Sequence, residues 1–159
     1  MPNYFTRGDY EKLQKKICET EDKLDEVSKQ IGEACQQSSE TYHDNFPFEE
    51  AVRQQGFWSQ RLRELINLQR DVEIVHPDPN PTEVIVGSSV TVEDMTTGKL
   101  ETHTIGSHGV ASYSDEPNMA SYDSPLGDCL MGAVRGNFRT LTLPTKIRKF
   151  LIKDIKGGA

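Results

Sequence analysis

No stretch of the chain approaches the roughly 18 consecutive apolar residues that a membrane span needs, and no apolar run follows Met1. A membrane partner is therefore not expected, and the expected location is the cytoplasm. Cysteine is scarce: Cys18, Cys35 and Cys129 are odd in number, far apart and without Cys-x-x-Cys spacing, which argues against a disulfide framework and a structural zinc site. A Gly-rich phosphate loop, His-Glu-x-x-His and Gly-x-Ser-x-Gly are all absent, so the common signatures of nucleotide, zinc-protease and serine-hydrolase chemistry are missing. Positive charge is also in short supply, at 18 Lys plus Arg against 25 Asp plus Glu. The resulting net charge of −7 disfavours a protein that works by coating nucleic-acid phosphates.

What is present is unevenly distributed. Residues 135–156 hold seven Lys or Arg against Asp154 alone, a local +6, so the rest of the chain carries −7 − 6 = −13. Two contact surfaces of opposite sign are the functional reading of that asymmetry, and two solvated faces are the structural one. Hydrophobic content of 35% and charged content of 27% over 159 residues fit a soluble globular protein with room for two small units.

Thr6 is placed to cap a helix, with Asp9 three residues on, where its carboxylate can reach back to the orphan backbone N–H groups. From there Tyr10, Leu13, Ile17, Leu24, Val27, Ile31 and Ala34 step by three and four, with Thr20 in the one slot lacking an apolar side chain. So narrow a stripe needs a partner lying along it. A second helix opens with Pro47 and the acidic pair Glu49–Glu50. Its seam runs through Phe48, Ala51, Gln55, Trp58, Leu62, Leu65, Gln69 and Val72, with Phe57, Ile66 and Leu68 widening it towards the C-terminal end. A short connection makes the pair an antiparallel hairpin, with helices at about 7–37 and 47–75 and a tip at 38–46 inside a unit spanning 1–75. Internally satisfied seams predict a monomer.

The proline-rich run 76–81 reads as a stiff extended linker. Beyond it, over 82–159, Val84, Val86, Val90 and Val92 alternate as strands do, and Thr97-Gly98 marks a hairpin before a return strand at 102–105. A short helix over 125–134 capped by Ser124 and two last strands complete a small antiparallel sheet with one helix packed on it. The fold class is α+β. His103 and His108 are read as solvent-facing.

Four local patterns then resemble one family across nearly the whole chain, the bacterial Gre transcript-cleavage factors GreA and GreB. Thr6-Arg7 with Tyr10-Glu11-Lys12-Leu13 is similar to the family's opening Thr-Arg-x-Gly-Tyr-Glu-Lys-Leu, with Gly8 and Asp9 swapped. Gln54-Gln55-Gly56-Phe57, the segment 86–92 (Val-Gly-Ser-Ser-Val-Thr-Val), and Asp123-Ser124-Pro125-Leu126 followed by Leu130-Met131-Gly132 are the other three. The resemblance implies a coiled-coil hairpin followed by an FKBP-like domain. It also implies an accessory factor, not an enzyme, whose hairpin enters the secondary channel of RNA polymerase. There the tip stimulates the polymerase's own cleavage of backtracked RNA, touching the nascent RNA 3′ end only indirectly.

In that reading Glu40 and Asp44 are the metal-recruiting residues. They hold no cofactor of their own and help bind a second Mg²⁺ at the polymerase active site, as two-metal displacement and the oxygen preference of Mg²⁺ require. Thr41, Tyr42, His43 and Asn45 would support the tip, and Asp123, Ser124 and Pro125 would dock on the polymerase rim. The tip departs from the family's Gly-Asp-(Leu or Tyr)-(Lys or Arg)-Glu-Asn: Thr41 replaces the first acid and Asp44 is the shorter form of the second. A homologue that occupies the channel and regulates or inhibits the polymerase without supporting cleavage is thus the alternative. The last hairpin differs too, with Pro144-Thr145-Lys146-Ile147 where the family has Pro-Gly-Gly-Glu. A prolyl isomerase is suggested by fold alone, against which Tyr113, Tyr122, Phe138 and Phe150 are scattered and form no aromatic pocket signature. A self-associating coiled-coil scaffold is the remaining class.

Overall fold

The computed structural model describes residues 2–37 and 46–157, and the architecture is α+β. Its elements run β1 (Asn3–Thr6), α1 (Arg7–Gln37), α2 (Phe46–Asn67), β2 (Val72–Val75), β3 (Ser89–Asp94), β4 (Leu100–Gly106), β5 (Met119–Ser121), α3 (Pro125–Leu130), β6 (Phe138–Thr142) and β7 (Ile147–Lys156). The chain divides into two compact units, Leu13–Arg70 and Met1–Lys12 with Asp71–Ala159.

In the helical unit, the buried positions are those of the three-and-four repeat: Leu13, Ile17, Thr20, Val27 and Ala34 on α1, Ala51 and Leu65 on α2. Thr20 is tolerated in this stripe because its hydroxyl donates to the Lys16 carbonyl at 2.7 Å, leaving its methyl to pack. Phe57 and Ile66 do not widen the seam; they are 63% and 46% exposed. The helix also stops earlier than its periodicity suggests. Residues 68–71 turn, Asp71 adopts a φ of 51°, and Val72–Val75 becomes a strand parallel to β1, with Asn3 N–H donating to the Asp71 carbonyl at 2.7 Å. The β-branched run Val72, Ile74, Val75 explains the switch, since such side chains are restricted in a helix and suit a paired strand. Both flanks of the helical hairpin thus belong to the second unit.

That unit is built on a five-stranded sheet of order β5-β4-β3-β7-β6, antiparallel except where β5 joins β4 in parallel. One face carries the core: Val84, Val90, Val92, Ile105, Leu130, Leu141, Phe150, Ile152 and Ile155 pack together with Ala133. Val84 and Val86 lie before the sheet and not in it. Val84 bonds across to the α3 exit, its N–H to the Ala133 carbonyl and its carbonyl to the Gly132 N–H, both at 2.9 Å. The 95–99 turn closes on Gly98, whose φ of 72° suits glycine and whose N–H donates to the Asp94 carbonyl at 2.7 Å. The proline-rich segment is not a free spacer. A Cβ on Gly157 would stand 2.1 Å from the Pro79 carbonyl oxygen, so this stretch lies against β7's end.

The helix start is anchored differently from a reciprocal capping box. Asp9 N–H donates to Thr6 Oγ1 at 3.2 Å, but the Asp9 carboxylate turns to Ser107, accepting from its N–H at 3.1 Å and its hydroxyl at 2.6 Å. Ser107 Oγ in turn accepts the Thr6 N–H at 2.8 Å. A buried carboxylate is kept only when its oxygens find donors, and here one serine supplies two. Burial and the nearby Asp9 carboxylate push the Tyr113 hydroxyl far above its ordinary pKa, so it stays neutral and donates to the His108 carbonyl.

Candidate functional site

The loop between β5 and α3 carries three of the residues singled out by sequence, Asp123, Ser124 and Pro125. Ser124 has extended backbone angles (φ −73°, ψ 161°), and its hydroxyl accepts the Gly127 N–H at 3.1 Å, with Pro125 in the first turn of α3. The same hydroxyl donates to the Ser121 carbonyl at 2.7 Å, so one side chain closes the loop and caps the helix. The loop is drawn so tightly over α3 that a Cβ on Gly127 would sit 1.9 Å from the Ser121 carbonyl oxygen. Glycine is required there for close approach.

Asp123 stands on this scaffold with both oxygens engaged. One accepts the Ser121 hydroxyl and the other faces His108 Nδ1 at 2.7 Å. Partial burial opposes its ionisation, yet the Ser121 hydroxyl and His108 outweigh that and hold the carboxyl below the usual range. His108 is itself fixed: its N–H donates to the Tyr4 carbonyl at 3.0 Å, and its ring meets Phe5 edge-on with centroids 6.1 Å apart. Tyr122 completes the tie to β1, its hydroxyl accepting the Tyr4 N–H at 3.1 Å. The arrangement presents a half-exposed, oriented carboxylate at a rigid helix entrance, suited to meeting a cationic or hydrogen-bonding partner.

Two histidines read as solvent-facing are therefore partnered, His108 with Asp123 and His103 with Glu101 at 3.0 Å. Nothing in the local spacing marked His108 or Ser121 as supports of Asp123, since His108 is 15 residues away and meets it only through the fold. The six tip residues, Glu40, Thr41, Tyr42, His43, Asp44 and Asn45, lie outside the described residues, between the end of α1 at Gln37 and the start of α2 at Phe46. Among the described residues no group of three or more His, Cys, Asp or Glu is placed to hold a metal ion, and no helix is long and apolar enough to cross a membrane.

The family model described as "Transcription elongation factor, GreA/GreB, C-term" matches residues 78–157, which contain the whole five-stranded sheet and the Asp123 loop. A transcription elongation factor GreA of Chloroflexus aggregans is 32% identical over 158 residues, covering 98% of both chains. The chain belongs to the GreA/GreB family. A second GreA, from Thermotoga neapolitana, is 27% identical over 152 residues and covers 95% of each chain. The similarity to GreA therefore runs through the helical unit as well as the sheet unit. A solved structure of the GreA factor homolog 1 (Gfh1) protein of Thermus thermophilus covers 99% of this chain and 100% of its own, with 24% identity and a TM-score of 0.45. The protein is a transcription elongation factor of the GreA/GreB kind, and in this member the loop after β5 is held by the Ser121–Asp123–His108 chain.

Proposed function

We propose that this factor binds RNA polymerase, passes its helical hairpin into the secondary channel, and stimulates the polymerase's intrinsic cleavage of backtracked RNA. What supports the reading is the sequence position of Glu40 and Asp44, between two long helices whose buried residues follow the three-and-four repeat. At about 1.5 Å per residue, the 31 residues of α1 extend roughly 46 Å. A helix of that length lets carboxylates be carried deep into another molecule's channel.

Carboxylate oxygens are the donors Mg²⁺ prefers, and one or two suffice because the ion retains water ligands. Glu40 and Asp44 would hold a second Mg²⁺ beside the ion of the polymerase, which supplies activation of the attacking water and charge stabilisation at the phosphate. Thr41, Tyr42, His43 and Asn45 would support the two acids. Asp123, Ser124 and Pro125 dock at the channel rim, where a pre-oriented carboxylate loses little side-chain freedom on binding.

Thr41 favours a second reading, in which the factor occupies the channel and regulates or inhibits the polymerase without promoting cleavage. A threonine in place of the family's first acid removes a charged ligand, and Glu40 stands one residue away. Incubating purified factor with stalled, backtracked complexes at neutral pH with Mg²⁺ separates the two. Shortened RNA carrying a new 3′ end supports the first reading; bound factor with uncut RNA replaces it by the second.

A further inference from the structure

We propose that one end of the five-stranded sheet, on the face turned away from its core, is a docking surface for an acidic protein segment bearing apolar side chains. The inference is independent of the tip and of the Asp123 loop. Cross-strand pairing puts Leu100, Glu93, Leu151 and Phe138 in one row, through the pairs Glu93–Leu100, Glu93–Leu151 and Phe138–Leu151. Residues directly opposite share a face, and Ile147 and Lys149 follow on the same face of β7 at alternate positions. The Met95 N–H donates to the Lys149 carbonyl at 2.9 Å, which brings the 95–99 turn alongside the start of β7.

The result is an unusually apolar surface: Leu100 and Ile147 are each 65% exposed and Phe138 55%. Its charge is one-sided. Glu93 is paired with Lys153 at 3.1 Å, while Asp94 and Glu101 are both taken by Arg148, at 2.9 and 2.7 Å. Asp94 and Glu101 stand opposite Phe150 and Val92, on the core face, which leaves the already paired Glu93 as the carboxylate of this row; the exposed Lys99, Lys146 and Lys149 have no carboxylate partner among the described residues. Lys149 lies over the Phe138 ring, 5.0 Å from its centroid. Three cations without a carboxylate partner, set among apolar side chains on a chain of net charge −7, complement a short segment that is both acidic and apolar.

A nucleic-acid strand suits this patch less well. It offers one aromatic ring, already covered by a lysine, where strand binders stack successive bases on several. Lys146 lies in the connection between β6 and β7, and Ile147 opens β7.

The test is amide NMR on the full chain, titrated separately with a peptide alternating aspartate and leucine, its lysine–leucine counterpart, and oligouridylate. The aspartate peptide is expected to shift amides around Leu100, Phe138, Ile147 and Lys149. Its affinity should fall with salt and drop about tenfold or more in a Lys146→Glu, Lys149→Glu variant whose other resonances are unchanged. Leu100→Ser, which leaves every charge in place, should weaken binding as well. Absence of shifts, shifts elsewhere, equal binding of the lysine peptide, or preference for oligouridylate at this face each overturns the proposal.

Discussion

In the helical unit the well-buried side chains form a single file, from Leu13 through Val27 to Ala34 on α1 and from Ala51 to Leu65 on α2. In the sheet unit Phe150, Ile152, Leu130 and Val92 are enclosed by neighbours drawn from strands far apart in sequence. Leu13 and Leu65 are as fully buried as Phe150, so the two kinds of site differ in where their cover comes from and not in how complete it is. The first kind can be read from periodicity because its partners obey the same repeat. The second cannot, because its partners depend on topology.

The comparison predicts costs that register in different units. Phe150→Ala, at a fully buried position, should destabilise the sheet unit by about 3–5 kcal/mol, because the enclosed cavity cannot collapse. Leu65→Ala, at a position just as fully buried but removing a smaller side chain, should cost about 2–5 kcal/mol. Trp58, the single tryptophan, lies on α2, so its fluorescence follows the helical unit while far-UV circular dichroism follows the whole chain through urea unfolding. If both variants moved both transitions equally, the two units would not be energetically distinct, and the comparison would fail.

A smaller effect sharpens it at the loop. Ser124→Ala should lose about 1 kcal/mol, the ordinary cost of an N-cap, and should weaken polymerase binding more than a surface serine elsewhere would. Smallest is the acid response of the sheet end. Backbone N–H donation from Thr96 and the Arg148 guanidinium hold Asp94 below the ordinary carboxylate range. Glu101 is held low as well, because His103 and Arg148 outweigh the burial that opposes its ionisation. A depressed folded pKa contributes stability that is present above the unfolded value, near 4, and is lost as pH falls through the folded one. Asp94→Asn should therefore flatten the acid limb of the stability curve below about pH 4 and leave its slope at neutral pH unchanged.

Legibility follows the same division. The three-and-four steps located the seam on α1, including the polar slot at Thr20, and the Ser124-Pro125 pair located the start of α3. Periodicity misled at Val72, where a valine in register with the helical repeat joins a strand because β1 is there to pair with it. It misled again at Phe57 and Ile66, whose apolar character is spent on an exposed surface. Asp9 illustrates the limit most clearly. Its position predicts a local cap, and only the fold shows Ser107, 98 residues away, claiming its carboxylate. The support of Asp123 by His108 was hidden for the same reason.

The proposed role rests on two acids in the helix connection, and RNA cleavage by backtracked polymerase reads them directly. Wild-type factor should shorten the transcript, and a Glu40→Ala, Asp44→Ala double variant should bind the polymerase equally well while leaving the RNA intact. Cleavage undiminished by the double substitution, or a wild-type factor that binds without cutting, would contradict the account.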